Sequence, residues 1–215
     1  MKLKNLIGKT LIIFFIIIFT FFLIGYLSEV IRLNEIKNEN LYINILWNDA
    51  KFFEEYINAS TSEKCDYLIE QNRILADKIY FFGKKIELYD TANKLTNEIL
   101  LEKQNYALLD LQLLKNTLKL KNLCADKLST VIYFYSYYNK TEKQKILDVL
   151  LFDFKQRCGI KTVYITLPTD LNLTSIDILL TNYNITSIPA YILDEKYVFY
   201  EPVNIEILNN YIKCW

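Results

Sequence analysis

The apolar positions change their spacing twice along the chain, and each change predicts a different kind of element. Residues 10–28, TLIIFFIIIFTFFLIGYLS, carry no charge and are apolar on every face. An uncharged run of about 18 residues or more predicts a transmembrane helix, because a helix without a polar face has nothing to show to water. From Ser28 to Leu123 there is no proline and a single glycine, Gly83, among many Leu, Glu, Lys and Asn. That stretch predicts helix. Ser60 and Glu63 stand at capping-box spacing and predict a helix start after INAST. Leu88, Ala92, Leu95, Ile99, Glu102, Tyr106, Leu109, Leu113, Asn116, Leu120 and Leu123 then advance in steps of four and three. This is a heptad seam with polar interruptions at Glu102 and Asn116. Gly83 and the polar stretch 89–98 are both places where the run can break. A hairpin or small bundle and an inter-chain coiled coil that makes a homodimer both fit the pattern.

From Ser129 the pattern turns to alternating strands and helices. STVIYFYS (129–136) is β-branched and aromatic and predicts a buried strand. Residues 140–159 predict an amphipathic helix with Ile146, Val149, Leu150 and Phe154 on its stripe, closed by Gly159. IKTVYITLP (160–168) predicts a second strand. Residues 173–185 predict a short helix capped by Thr174 or Ser175. SIPAYIL (187–193) and KYVFYE (196–201) predict two strands joined at Asp194-Glu195, and a last helix runs from about Asn204 to Ile212.

Composition narrows the chemistry. The 215 residues carry 25 basic and 25 acidic side chains, with no concentrated basic footprint to favour nucleic acid. Histidine is absent, which removes the commonest general base and neutral metal ligand. Four glycines cannot build a glycine-rich phosphate loop. Neither a metal nor a cofactor is expected. Lys2, Lys4 and Lys9 precede the apolar run and Glu29 follows it. This bias predicts a cytoplasmic N-terminus, residues 1–9, with the rest of the chain outside the cell membrane. The run is longer than a signal-peptide core, and no small-residue cleavage site follows it, so a retained signal anchor is expected.

The strand–helix–strand–helix–strand–strand–helix order, with YNITSIPAYIL before the third strand, resembles the thioredoxin fold. Tyr183, Ile185, Ile188 and Pro189 match the approach to that family's loop proline. The resemblance covers roughly residues 126–213. It implies an α+β architecture with a cis Ile188–Pro189 peptide and a C-terminal βαβαββα domain at 123–215, behind a helical stalk at 29–122. More narrowly, the chain is similar to membrane-tethered thioredoxin-like proteins. Redox-active members of the family carry C-x-x-C where the first strand meets the next helix. Here Asn139, Lys140, Thr141 and Glu142 stand at that place, and no cysteine lies between Cys124 and Cys158. The resemblance therefore implies the fold without its dithiol chemistry.

The four cysteines, Cys65, Cys124, Cys158 and Cys214, suit disulfides in an extracytoplasmic segment. Cys124 and Cys158 each precede one of two strands expected to be parallel neighbours, so they are the expected bond. Cys65 and Cys214 are left as a second pair or as buried thiols. Sequons at Asn58, Asn139, Asn172 and Asn184 fit surface glycosylation or chance in an Asn-rich chain. Asp170, Asp194, Glu195 and Glu201 read as solvated turn residues. Tyr137, Tyr138 and Tyr191 either belong to the core or line a groove around Ser187, Ile188 and Pro189, which the family uses to face substrate. Three functions follow as expectations: an interaction module binding a protein partner or extended peptide, an oxidoreductase or isomerase using Cys124 and Cys158, and a coiled-coil spacer.

Overall fold

The computed structural model describes residues 2–91, 97–124, 128–159 and 162–212. The chain divides into two compact units, residues 1–42 and 43–215. The first helix is α1 (Lys2–Asn58). Its segment Ile13–Ile31 is 19 residues long, wholly exposed and apolar enough to cross a membrane. At 1.5 Å per residue it reaches about 28 Å, close to the roughly 30 Å hydrocarbon thickness.

In the second unit the end of α1 packs with α2 (Cys65–Thr91) and α3 (Asn97–Leu123). α2 and α3 form the arms of a helical hairpin. The expected seam is buried along α3 at Glu102, Leu109, Leu113, Asn116 and Leu120, and its cover comes from the same chain. Asn116 Nδ2 donates to the Ala50 carbonyl at 2.9 Å, and Asn72 Nδ2 donates to Thr117 Oγ1 at 2.9 Å. Asn116, one of the two polar interruptions, thus ties α3 to α1, and the neighbouring Thr117 ties α3 to α2. Ala92 and Leu95 lie outside the described residues, and Leu88 is exposed on α2. The seam is therefore split between two helices and does not run along one rod.

The sheet has the order β2-β1-β3-β4, formed by β1 (Ser129–Tyr135), β2 (Thr162–Pro168), β3 (Ala190–Leu193) and β4 (Tyr197–Phe199). β1 and β2 are parallel across α4 (Glu142–Cys158), whereas β3 runs antiparallel to both β1 and β4. Asp194 and Glu195, with φ of 49° and 57°, make the two-residue turn of the β3–β4 hairpin. The Ile188–Pro189 peptide that leads into β3 is cis. α5 (Thr174–Asn182) and α6 (Ile205–Leu208) complete the unit.

Strand alternation divides the core into two layers. Ile132, Phe134, Val163, Ile165, Leu167 and Ile192 join Leu109, Leu113 and Leu68 of the hairpin. Val131, Tyr133, Tyr191 and Leu193 meet Leu147, Leu151 and Phe154 of α4 and Leu208 of α6 on the other face. Each such aliphatic side chain contributes roughly 1.5–3 kcal/mol by leaving water.

Several local expectations change. Residues 43–215 form one compact unit, in which α3 packs against β2. The capping box is not made. Ser60 Oγ turns back to the Tyr56 carbonyl at 2.7 Å, and a 3-10 turn at Ser62–Lys64 precedes α2. Gly83 does not break α2, which continues to Thr91. A Cβ there would lie 2.6 Å from the Tyr106 ring, so the glycine serves close helix approach. The buried stripe of α4 is Gln144, Leu147, Leu151, Phe154 and Cys158, while Ile146 and Val149 are 56% and 72% exposed. Phe154 fixes that stripe, and the three- and four-residue steps from it select Leu147 and Leu151 instead. Leu173, without a side-chain cap, precedes α5 in place of Thr174 or Ser175.

The cysteine pairing also differs. Cys65 bonds Cys124, with Cα atoms 5.6 Å apart, so neither Cys124–Cys158 nor Cys65–Cys214 forms. Antiparallel packing puts the start of α2 beside the end of α3. Cys158 sits on the opposite face of the sheet, at the end of α4, where it is itself disulfide-bonded. Cys214 lies outside the described residues.

Candidate functional site

β1 ends at the head of the sheet, where the chain passes through residues 136–141 into α4. Thr141 caps that helix, its hydroxyl accepting from the Gln144 N–H at 3.1 Å. Asn139, Lys140, Thr141 and Glu142 are all exposed around this junction. The loop is held from beneath. Gln144 Nε2 donates to the Ser136 carbonyl at 2.9 Å, and its Oε1 accepts the Ser136 N–H at 3.1 Å. Asp170 accepts from Ser136 Oγ, Tyr137 N–H and Tyr138 N–H at 2.6, 2.8 and 2.9 Å. Asp170 is thus an anchor of the loop and not a merely solvated turn residue. Backbone donors aimed at one carboxylate give strong, directional hydrogen bonds.

The same end of the sheet carries the loop before β3, because Ala190 pairs with Phe134. Ser187 is exposed, Ile188 is half-buried and Pro189 is buried. Tyr138 is 52% exposed and meets Tyr137 edge-to-face with centroids 5.0 Å apart. Lys103 Nζ lies 3.5 Å from the centre of the Tyr137 ring. Tyr191 does not belong to this surface. It is 0% exposed, stacks on Phe199 and donates its hydroxyl to the Glu201 carbonyl at 3.3 Å. Its parity on β3 sends it to the face covered by α4 and α6. Asp194 and Glu195 are also more than turn residues. Lys121 Nζ binds both, at 3.0 and 2.7 Å, and the Thr130 N–H donates to Asp194 at 2.9 Å. The four sequon asparagines are exposed, Asn172 and Asn184 with positive φ.

A second feature went unread in the sequence. A cavity of about 640 Å³ opens between α2, α3, α4 and the outer edge of β2. Tyr80, Tyr106, Tyr133, Tyr135 and Tyr164 line it, with Lys155 reaching in from α4. The 133/135 alternation was the available signal, since it puts two tyrosines on one face of β1. On the α3 side Asp110 Oδ2 accepts from both the Thr166 N–H, at 3.3 Å, and Thr166 Oγ1, at 3.0 Å. Tyr106 hydrogen-bonds into the same cluster. Burial outweighs these bonds and pushes the Asp110 carboxyl up to about 7. Tyr133 donates to Asp148 Oδ1 at 2.8 Å, and burial raises Asp148 as well. Burial raises the hydroxyls of Tyr106 and Tyr164 well above the usual phenol range. It lowers the Lys155 ammonium. Among the described residues no cluster of His, Cys, Asp or Glu is placed to hold a metal.

The fold and site define an α+β protein built on a four-stranded mixed sheet, with one apolar N-terminal helix compatible with a membrane anchor. No family model matches the chain, and no curated protein matches it.

Proposed function

We propose that this chain is a membrane-anchored, extracytoplasmic interaction module with a thioredoxin-like domain, which binds a protein partner or extended segment at the head of its sheet. The observation that carries the reading is the loop 136–142, which Asp170 and Gln144 hold by hydrogen bonds while Tyr138 stands exposed at the end of the sheet where the Ser187–Pro189 loop enters β3. A preorganised aromatic on a braced loop loses little entropy on binding and suits an anchor role. The anchor itself is the segment Ile13–Ile31, with lysines on its N-terminal side. Thiol chemistry draws no support from the cysteines: Cys65, Cys124 and Cys158 are buried and disulfide-bonded, whereas an attacking thiolate must be free and accessible.

The test is photocrosslinking with the full chain in its native membrane. A photoreactive residue at Tyr138 or Ser187 is expected to capture a partner, and one at Val149 on α4 is not. Asp170→Ala removes three charge-assisted hydrogen bonds, each worth about 1.5–3 kcal/mol. It should cut the Tyr138 adduct several-fold and speed amide exchange at Tyr137 and Tyr138. Reduction of insulin by the reconstituted chain, abolished by Cys124→Ser or Cys158→Ser, would overturn the reading.

A further inference from the structure

We propose that the cavity between α2, α3, α4 and the edge of β2 binds a small organic anion with a flat aromatic body, an aryl carboxylate in its simplest form, with Lys155 as the counter-ion. This goes beyond the interaction surface at the head of the sheet. The cavity's volume of about 640 Å³ falls within the roughly 300–1,000 Å³ of small-molecule sites. Its walls offer several tyrosine rings, which stack favourably on a planar unsaturated body.

The charge inside is what selects an anion. Lys155 Nζ lies 4.1 Å from the centre of the Tyr80 ring and 6.0 Å from that of Tyr164. Among the described residues no carboxylate stands within ion-pair distance of it; Asp77 and Asp110 act on it only through space, and Lys84 opposes them. The other charges around the cavity, Lys140 apart, are engaged. Arg73 pairs with Glu70 and Asp77, and Lys84 pairs with Glu87. Asp110 is occupied by Thr166, and Asp148 by Tyr133. A half-buried ammonium over the Tyr80 ring, with no ion-pair partner among the described residues, carries a desolvation cost that the ring offsets only in part. An arriving carboxylate offsets that cost and gains a charge-assisted hydrogen bond.

The sheet edge supplies a second donor. The Thr166 N–H points away from β1 to Asp110. Alternation along the strand sends the Tyr164 N–H out of the same edge, toward the cavity that Tyr164 lines. An ammonium and an edge N–H, set against stacked rings, make a site for a carboxylate on a flat body. Lys140, exposed and also on the cavity wall, adds attraction for anions.

The probe is 2-naphthoate, titrated calorimetrically into the full chain in nanodiscs, with empty nanodiscs as the blank. One-to-one saturable binding is expected, with Kd on the order of 10–100 μM for a ligand of this size. Lys155→Met keeps the aliphatic stem and should weaken 2-naphthoate at least about tenfold, as for loss of one charge-assisted bond. It should leave neutral 2-naphthalenemethanol unchanged, and Lys155→Arg should restore most of the affinity. Tyr80→Leu should weaken both probes. A measurement on the unaltered chain removes dependence on any variant's folding: saturating 2-naphthoate should slow reductive methylation of Lys155 but not of exposed Lys196. Lack of saturable binding by the wild type, equal affinity of Lys155→Met, or unprotected Lys155 at saturation would each overturn the proposal. Partner crosslinking at Tyr138 is read separately and bears on neither result.

Discussion

Asp110→Asn is expected to remove most of a loss of stability that the wild-type chain suffers between pH 5 and pH 8, and to be the more stable protein at pH 8. Burial among Thr166, Tyr106 and Tyr135 raises the Asp110 carboxyl to about 7 from an ordinary 3.8. The folded chain then holds a proton at pH 5 that the unfolded chain has released, so stability falls as pH rises. The stabilisation is complete below the unfolded value and is lost as pH passes through about 7. Each pH unit of separation is worth about 1.4 kcal/mol, so the whole effect approaches about 4 kcal/mol, roughly half of it between pH 5 and pH 7. Lys155 acts on Asp110 only through space. Asparagine can accept both Thr166 bonds on a single oxygen, because the native carboxylate receives them both on Oδ2. Urea denaturation of the full chain in detergent at pH 5, 6.5 and 8 measures the difference. Parallel wild-type and variant curves across that range would show that Asp110 does not titrate inside the fold.

The opposite sign belongs to Glu54. Hydrogen bonds from Lys119, Gln112 and Lys115 hold its carboxyl down at about 2. Its contribution is present above the ordinary carboxylate range and is lost only as pH falls toward 2. Asp110 and Glu54 therefore act at opposite ends of the acid range. The pH 5–8 comparison isolates the former.

These titrating groups also show how far sequence reaches. The strand and helix order after Ser129 was legible because period-2 and period-3.6 patterns are local. The apolar run at 13–31 was legible for the same reason. Facing was less so. Tyr191 stayed open between core and groove because its neighbours across the sheet, Phe199 and the α6 cover, are placed by pairing and not by spacing. The stripe of α4 was read one step off, because Ile146 and Val149 look as apolar as Leu147 and Leu151. Only the sheet beneath decides which pair is covered. Asp170 sits between Thr169 and Leu171 just past the end of β2, and nothing local shows that three donors from residues 136–138 converge on it. The cavity was further still from view, since its walls come from α2, α3, α4 and two strands, and it exists only once the hairpin has folded onto the sheet. Gly83 was the nearest thing to a clue, a glycine mid-helix whose reason is the Tyr106 ring.

Replacing Cys65 and Cys124 together by alanine is expected to destabilise the unit by about 4 kcal/mol in the chain-entropy account of a loop of this length. The two residues are 59 apart in sequence, and the bond closes both arms of the α2–α3 hairpin into one ring. Both side chains are also buried in the core that joins the hairpin to the sheet. Alanine at both sites avoids a stranded buried thiol or hydroxyl, so the measured loss reports mainly the lost link and a small cavity. The hairpin supplies one wall of the cavity and the α3 carboxylate Asp110. Loosening it should therefore release protection of the Thr166 amide, which donates to Asp110, before the β1–β3 core exchanges. Denaturant titration with and without reductant checks the magnitude: the wild type under dithiothreitol plus denaturant should move toward the double variant. Hydrogen exchange checks the order. If the double variant matched the oxidised wild type in midpoint, packing of α2 on α3 would hold the hairpin without the bond. If Ile132 and Ile192 amides lost protection together with Thr166, the hairpin and sheet would be one cooperative unit, and the cavity wall could not open on its own.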